Sequence, residues 1–359
     1  MIPNDDLTSV DICGCPNGID WSVIHEGKHV RIVTESGNET LVDLAEYSMT
    51  VYKFADYIEE YYNNCAPKIF PKDEFDRNGY IAFWNEWHRR KVNLKYPILM
   101  VHGMGFRDRK YLNYWGRIPG RLEELGCRIY YGCQDSNGSI EANGEILAGR
   151  IREIIDETGA EKLNVIAHSK GGLDIRYAIS TLGAGKWVAS VTTMNTPHNG
   201  SETVDALLKL PDFLIRFGCK CTNLWMRILG DHKPDTYSAI RSFTTVSASK
   251  FNEENPDMDG IYYQSYGFAM KNAFSDIFLA WTYPVVYFFE GENDGLLAPR
   301  AVKWTNFQGV FRGNSNRGIS HCDQVDLRHR RFTKKQGEGV SDIVDVYVDA
   351  VRRLEKMGF

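Results

Sequence analysis

The chain has 359 residues, 43% of them apolar and 25% charged, which is the composition of a folded globular protein rather than a disordered one. Its 42 Lys and Arg against 47 Asp and Glu leave a net charge of −5, which argues against a nucleic-acid partner. No run of about 18 apolar residues stands ready to span a membrane, and "MIPNDDLTSVDICGC" shows no basic segment leading into an apolar one. The expectation is a cytoplasmic protein, with secretion or peripheral membrane attachment left open.

This length allows one large α/β domain with additions, or two domains. Residues 1–95 read as an extension, largely helical. In "LAEYSMTVYKFADYIEEYYNN", Val51, Phe54, Ile58 and Tyr61/Tyr62 fall on one side of a helix, and "IAFWNEWHRR" adds a second aromatic segment. Such a segment either packs on the body that follows or leans on lipid.

From Tyr96 onward short apolar runs alternate with helical stripes, which predicts β-α units and a mostly parallel sheet with helices on both sides. "YPILMVHG", "CRIYYG", "LNVIAHS", "VASVTTM", "YPVVYFFE" and "FQGVFRG" read as strands, because strands covered on both faces are apolar nearly throughout. Ile146, Leu147, Ile151, Ile154 and Ile155 mark the inner face of one helix; Leu173, Tyr177, Ala178 and Leu182 mark a second. A closing helix turns Ile343, Tyr347, Val351 and Leu354 inward, and Gly358 stands where a helix end belongs.

Eight cysteines are modest for this length with no export signal seen, so reduced thiols are expected; the pairs "CGC" and "CKC" hint at a metal site but lack the usual two-residue spacers of zinc. The basic run "RHRRFTKK", Arg328 to Lys335, reads as solvated surface, with an anion-binding patch as the alternative.

Chemistry concentrates around "LNVIAHSKGGLDIR". A strand runs into Ser169 and a helix leaves it, a turn that lifts the hydroxyl clear of the sheet. Strand and helix converge there, so the positions two residues either side must be small, and they are Ala167 and Gly171. The amide of Lys170, at the helix start, can face an oxyanion at the serine. A serine needs a base, and the base an orienting acid. "GENDGLLAP" offers Asp294 on a tight turn, with Glu290 and Glu292 as rivals, and "NRGISHCDQVD" offers His321 in a loop. The order Ser169, Asp294, His321 is the one this sheet topology needs. A second oxyanion amide fits Met104 in "MVHGMGFRD", while His102, His168 and His198 read as structural.

The pieces "VHGMGF", "NYWGRI", "AHSKGG", "NTPHNGS", "ENDGL" and "SHCDQV" together resemble bacterial triacylglycerol lipases of the α/β-hydrolase family, over most of Tyr96 to Val325. The resemblance implies a catalytic domain over residues 96–359 that hydrolyses carboxylic esters through an acyl-enzyme, with Ser169, Asp294 and His321 as triad and Met104 and Lys170 as oxyanion amides. Ala167 departs from the commoner glycine at that position. Cofactors are expected to be none for the chemistry. The family does imply a structural calcium, with Asp323, two residues past the histidine, and Asp276 in "FSDIF" as ligands; the alternative is that Asp323 bonds its own loop.

Between "NTPHNGS" and the last part of the sheet, "ALLKLPDFLIRFGCKCTNLWMRILGD" is too apolar to stand in water without a purpose. It is expected to form a lid or cap over about residues 201–240. Leu207, Phe213, Leu214, Phe217 and Trp225 would line an acyl groove, or else the insertion completes the core. The expected partner is a lipid or small ester, with peripheral membrane contact allowed. Acyltransferase, thioesterase and lysophospholipase activities share this machinery, and a non-catalytic lipid binder is the remaining alternative.

Overall fold

The computed structural model describes residues 9–11, 21–26, 29–34, 39–43, 89–105, 113–313, 317–332 and 340–359. The chain divides into two compact units, Met1–Arg90 with Thr333–Ser341, and Lys91–Phe332 with Asp342–Phe359.

In the first unit, β1 (Ser9–Asp11), β2 (Trp21–Glu26), β3 (His29–Thr34) and β4 (Glu39–Asp43) form an antiparallel sheet in sequence order. Register is set by pairs such as Glu26 with His29 and Ile32 with Thr40. The expected helix containing Val51, Phe54, Ile58 and Tyr61/Tyr62 lies outside the described residues, as does "IAFWNEW".

The second unit is built on six parallel strands: β5 (Ile98–Val101), β6 (Ile129–Tyr131), β7 (Leu163–His168), β8 (Val188–Met194), β9 (Tyr262–Ala269) and β10 (Phe307–Arg312), in the order β10-β9-β8-β7-β5-β6. Strands β5, β7 and β8 are buried at every residue, as their continuous apolar runs require.

One face of the sheet is covered by α2 (Ile140–Thr158) and α3 (Gly171–Ser180). Leu147, Ile151 and Ile154 of α2 and Ile175, Ala178 and Ile179 of α3 close on Leu99, Val101, Val165 and Val191. Ser139 caps the start of α2 by accepting the Ala142 amide, and Gly159, at φ 66°, ends it. Ile146 departs from the expected inner face and is 38% exposed, because it lies at the edge of the stripe. Further helices are α1 (Ile118–Glu124) and α10 (Ile343–Lys356), which bury Ile118, Leu122, Ile343, Tyr347, Val351 and Leu354.

One predicted strand is a helix. "YPVVYFFE" lies within α8 (Thr282–Glu290), which buries Tyr283 and Val286 and leaves Val285, Tyr287, Phe288 and Phe289 exposed. A short run of branched and aromatic residues satisfies either period, so composition alone misassigned it. The place in the sheet belongs to β9, whose polar residues hid it: Gln264 Nε2 donates to Thr192 Oγ1 at 2.8 Å and Ser265 Oγ to the Trp304 carbonyl at 3.0 Å.

The apolar insertion forms α4 (Glu202–Leu207), α5 (Asp212–Ile228) and α6 (Thr236–Arg241), followed by α7 (Thr245–Glu254). A single turn, α9 (Pro299–Val302), precedes β10.

Candidate active site

The turn between β7 and α3 holds Ser169 at φ +53°, a conformation that costs a non-glycine residue of order 1–3 kcal/mol. The fold over-determines it. The Ser169 amide donates to the Met194 carbonyl at 2.9 Å and its carbonyl accepts the Gly172 amide at 3.1 Å. A Cβ on Gly171 would meet the His102 carbonyl oxygen at 2.4 Å and that of Val101 at 2.7 Å. The small residue expected there is therefore a matter of backbone approaching backbone.

Ser169 Oγ lies 3.0 Å from His321 Nε2, and His321 Nδ1 lies 2.6 Å from Asp294 Oδ2. Three residues predicted from separate motifs thus meet at the carboxyl ends of β7 and β9. Asp294 is fully buried and saturated. Oδ2 also accepts from Asn195 Nδ2 at 2.6 Å and Gln324 Nε2 at 2.7 Å, and Oδ1 accepts the amides of Leu296 and Leu297. Burial pushes this carboxyl's pKa up, but the His321 charge and these hydrogen bonds outweigh it and hold the group below the ordinary aspartate value. The rival acids are engaged elsewhere. Glu290 accepts from Ser201, Thr203 and its amide at the start of α4, and Glu292 pairs with Arg312.

Gly103 approaches Ser169 so closely that a Cβ on it would sit 2.8 Å from the serine's Cβ. This brings the loop carrying Met104 beside the hydroxyl. Lys170 stands at the start of α3, and its buried ammonium pairs with Asp174 at 2.5 Å, so only its backbone faces the site. His102, expected to fix this loop, is buried with its ring nitrogens on the carbonyls of Gly103 and Gln134.

A second tier of side chains supports the first, and sequence reasoning missed it. The Gly103 amide donates to Tyr114 Oη at 3.0 Å, and Tyr114 Oη lies 2.7 Å from His168 Nδ1. His168 Nε2 lies 2.9 Å from Gln324 Oε1, and Gln324 donates its amide to Asp294. Burial, then the neighbouring His321, lowers the pKa of His168 to about 3, so its ring is neutral and each nitrogen has a fixed role. Tyr114 and Gln324 lie inside the motifs "NYWGRI" and "SHCDQV", so position was the only available signal. His168 and His198, read as structural, are both fully enclosed.

Asp276 and Asp323, the expected calcium ligands, are neighbours, but their donor set does not fit the metal. Arg328 spans both: Nη2 lies 3.1 Å from Asp276 Oδ2, and Nε lies 3.0 Å from Asp323 Oδ1. Ser320 Oγ donates to Asp276 Oδ2 at 2.6 Å, the Phe278 amide takes Oδ1, and the Ser320 amide donates to Asp323 Oδ2. Calcium needs six to eight oxygens, whereas these carboxylates already face donors. Among the described residues no group of three or more His, Cys, Asp or Glu could hold a metal. Within "RHRRFTKK" Arg328 alone among the described residues departs from the reading as solvated surface, being committed to buried carboxylates, while His329, Arg330 and Arg331 are exposed.

The residues assigned to a lid or acyl groove stand on α4 and α5. Leu207, Phe213, Leu214, Phe217 and Trp225 are all exposed, Phe217 by 68%. Asp212 and Arg216 hold α5 to Tyr237 of α6. Beyond the insertion, Phe274, Ile277, Phe278, Trp281 and Phe288 are exposed too, Phe274 by 90%.

The chain is similar to known esterases and lipases. Residues 131–227 match the family described as "Putative serine esterase (DUF676)". A triacylglycerol lipase of Pseudarthrobacter phenanthrenivorans is 32% identical over 176 residues, 45% of this chain and 54% of that protein. The chain spans about half the length of that curated relative. Among solved structures, a mature-form Bacillus licheniformis lipase superposes with a TM-score of 0.51 at 21% identity, covering 67% of this chain and 90% of the lipase. A metagenomic carboxyl esterase superposes with a TM-score of 0.55 at 14% identity, covering 75% and 78%. The chain has the α/β-hydrolase fold.

Proposed function

We propose that this α/β-hydrolase-fold chain is a serine ester hydrolase that cleaves acyl esters, acylglycerols among them, through an acyl-enzyme. The carrying observation is the unbroken line Ser169 Oγ, His321 Nε2, His321 Nδ1, Asp294 Oδ2, with contacts of 3.0 and 2.6 Å. His321 removes the serine proton as Oγ attacks the ester carbonyl. Asp294 keeps the imidazole in the tautomer that leaves Nε2 free to accept, and stabilises the imidazolium that forms. The amides of Lys170 and Met104 receive the negative charge on the carbonyl oxygen; one such donor is worth about a hundred- to a thousandfold in rate. His321 then protonates the leaving alcohol, and water repeats the sequence to release the acid.

The exposed apolar surface of α5 and of residues 274–289 supports a lipid-like substrate, since a soluble protein seldom leaves so much apolar area uncovered without a partner. In this reading Leu207, Phe213, Leu214, Phe217 and Trp225 meet the acyl chain or the lipid surface.

The test is the initial rate on p-nitrophenyl butyrate and p-nitrophenyl palmitate, with Ser169→Ala as the blank. The expectation is hydrolysis of both esters by the native protein and near-complete loss in the variant. An unchanged rate in Ser169→Ala removes the serine from the mechanism. Failure of the native protein on both esters moves acyl transfer or non-catalytic binding ahead.

A further inference from the structure

We propose that Arg328 is the resident cation of the His321 loop: its guanidinium occupies, between Asp276 and Asp323, the position a divalent metal would take, and it positions His321 without one. This rests on the ester-hydrolase reading for its consequence in rate, but not for its consequence in ion binding.

Two carboxylates that are 2% and 5% exposed stand together beside the loop that carries His321. Charges so placed must be compensated. Arg328 compensates both, using Nη2 on Asp276 at 3.1 Å and Nε and Nη2 on Asp323 at 3.0 and 3.2 Å. The same Nη2 also reaches the Ser275 carbonyl at 3.0 Å. The planar guanidinium can divide its donors in this way, whereas an ammonium would act as a point charge.

The link to His321 is covalent and short. Ser320, the preceding residue, donates its hydroxyl to Asp276 at 2.6 Å and its amide to Asp323 at 3.2 Å, and accepts the Asp323 amide at 3.1 Å. The His321 amide donates to the Asp294 carbonyl at 2.9 Å. Removing the cation therefore loosens the residue next to His321 while leaving Ser169 and Asp294 on their own elements. Arg328 is a positioning residue, since it touches neither serine nor histidine in this network.

The surroundings disfavour a metal while Arg328 is present. A cavity of about 380 Å³ opens beside Asp323 and Arg328, and its lining includes Arg317, Arg330 and Arg331. A divalent ion approaching from this side meets positive charge. Truncating Arg328 leaves two buried carboxylates and the Ser320 hydroxyl around a gap open to water, which are hard-oxygen donors suited to calcium.

The experiment compares the native protein, Arg328→Ala and Arg328→Lys in chelator and in millimolar calcium chloride, reading Tm and separate kcat and KM values. In the native protein, neither ion condition shifts Tm or kcat. In Arg328→Ala, kcat falls at least tenfold in chelator with KM within twofold, and calcium raises Tm and recovers part of kcat. Arg328→Lys, with the charge but not the fork, gives an intermediate kcat and no response to calcium. A native protein that loses Tm or kcat in chelator and regains it with calcium overturns the proposal. So does Arg328→Ala with native kcat, or one whose Tm ignores calcium. If Arg328→Ala does not fold, chelator on the native protein and the calcium response of Arg328→Lys decide. If no variant hydrolyses an ester while the Tm responses follow the expected pattern, the function reading fails and the cation assignment stands.

Discussion

Tyr114 Oη and His168 Nδ1 lie 2.7 Å apart, and this contact ties the loop beside Ser169 to the carboxylate behind His321. Tyr114 Oη accepts the Gly103 amide and donates to Nδ1 of a neutral His168, whose hydrogen is on Nε2. His168 Nε2 must then carry the hydrogen given to Gln324 Oε1, which leaves the Gln324 amide nitrogen to donate to Asp294. Because the Asp294 carboxylate can only accept, Gln324 must present Nε2 to it and Oε1 to His168, which fixes the direction of each of these bonds.

Gln324→Leu removes one donor from a buried, charged carboxylate. A hydrogen bond to a charged group is worth about 1.5–3 kcal/mol, so kcat should fall about 10- to 100-fold with KM little changed. Tyr114→Phe strands the Gly103 amide and His168 Nδ1 together, and should lower Tm by several degrees as well as kcat. Steady-state kinetics with thermal melts check both, and a Gln324→Leu enzyme at native kcat would show that Asp294 is held without this network.

Acid should destabilise the protein before its carboxylates titrate. His168 and His198 are buried neutral, each with its pKa depressed first by burial, and in His198 also by Arg176. For such a group the stability is present above the unfolded value of about 6.5 and is lost as pH falls toward the folded one. Between about pH 6.5 and pH 3 the unfolded chain binds a proton at position 168 that the folded one refuses, costing about 1.4 kcal/mol per pH unit. Asp294, held below its ordinary value, adds to the loss at the acid end. Urea titrations from pH 7 to pH 4.5 should show stability declining, and a flat profile would contradict the neutral buried rings.

Two glycines should respond oppositely to alanine. At Gly171 the added carbon meets backbone oxygens at 2.4 and 2.7 Å, so neither neighbour can rotate away. Gly171→Ala should cost at least the about 1–3 kcal/mol of an overpacked site, and disturb the Ser169 turn enough to abolish activity. Gly149, inside α2, has nothing within 4 Å of the new carbon. Gly149→Ala should raise stability by about 0.5–1 kcal/mol by stiffening the unfolded chain and favouring the helix. Chemical denaturation of the pair measures both signs.

The exposed face of α5 separates stability from substrate. Phe213 and Phe217 stand mostly in water, so the Phe213→Ser/Phe217→Ser double variant should keep its stability near the native value, surface changes usually staying within about 0.5 kcal/mol. Its rate on emulsified long-chain ester should fall several-fold against its rate on soluble short-chain ester. A parallel loss on both substrates would place these rings in folding rather than in lipid contact.

What could be read from sequence followed what pattern records. β5, β7 and β8 announce themselves because both faces are covered, and Ser169 because only small neighbours fit where backbone meets backbone. β9 was not legible, since Gln264 and Ser265 find buried partners that only folding brings near. α8 was misread because Tyr287, Phe288 and Phe289 of "YPVVYFFE" face solvent, where no period constrains them, and only Tyr283 and Val286 turn inward. The supports of Asp294 could not be foreseen either: Asn195 and Gln324 are 99 and 30 residues away in sequence. Arg328 was hidden by its neighbours, for a charge run says nothing about which member turns inward.

The left-handed turn at Ser169 has a use outside chemistry. The hydroxyl meets its base only when the ends of β7, β8 and β9 have come together in register, drawing on residues from 169 to 321. If Ser169 is the nucleophile proposed above, labelling by a fluorophosphonate should therefore report on the completed assembly of the sheet rather than on the presence of the chain. Counting tagged molecules against total protein, during refolding or after gentle heating, would give the fraction of native molecules directly and in a crude extract.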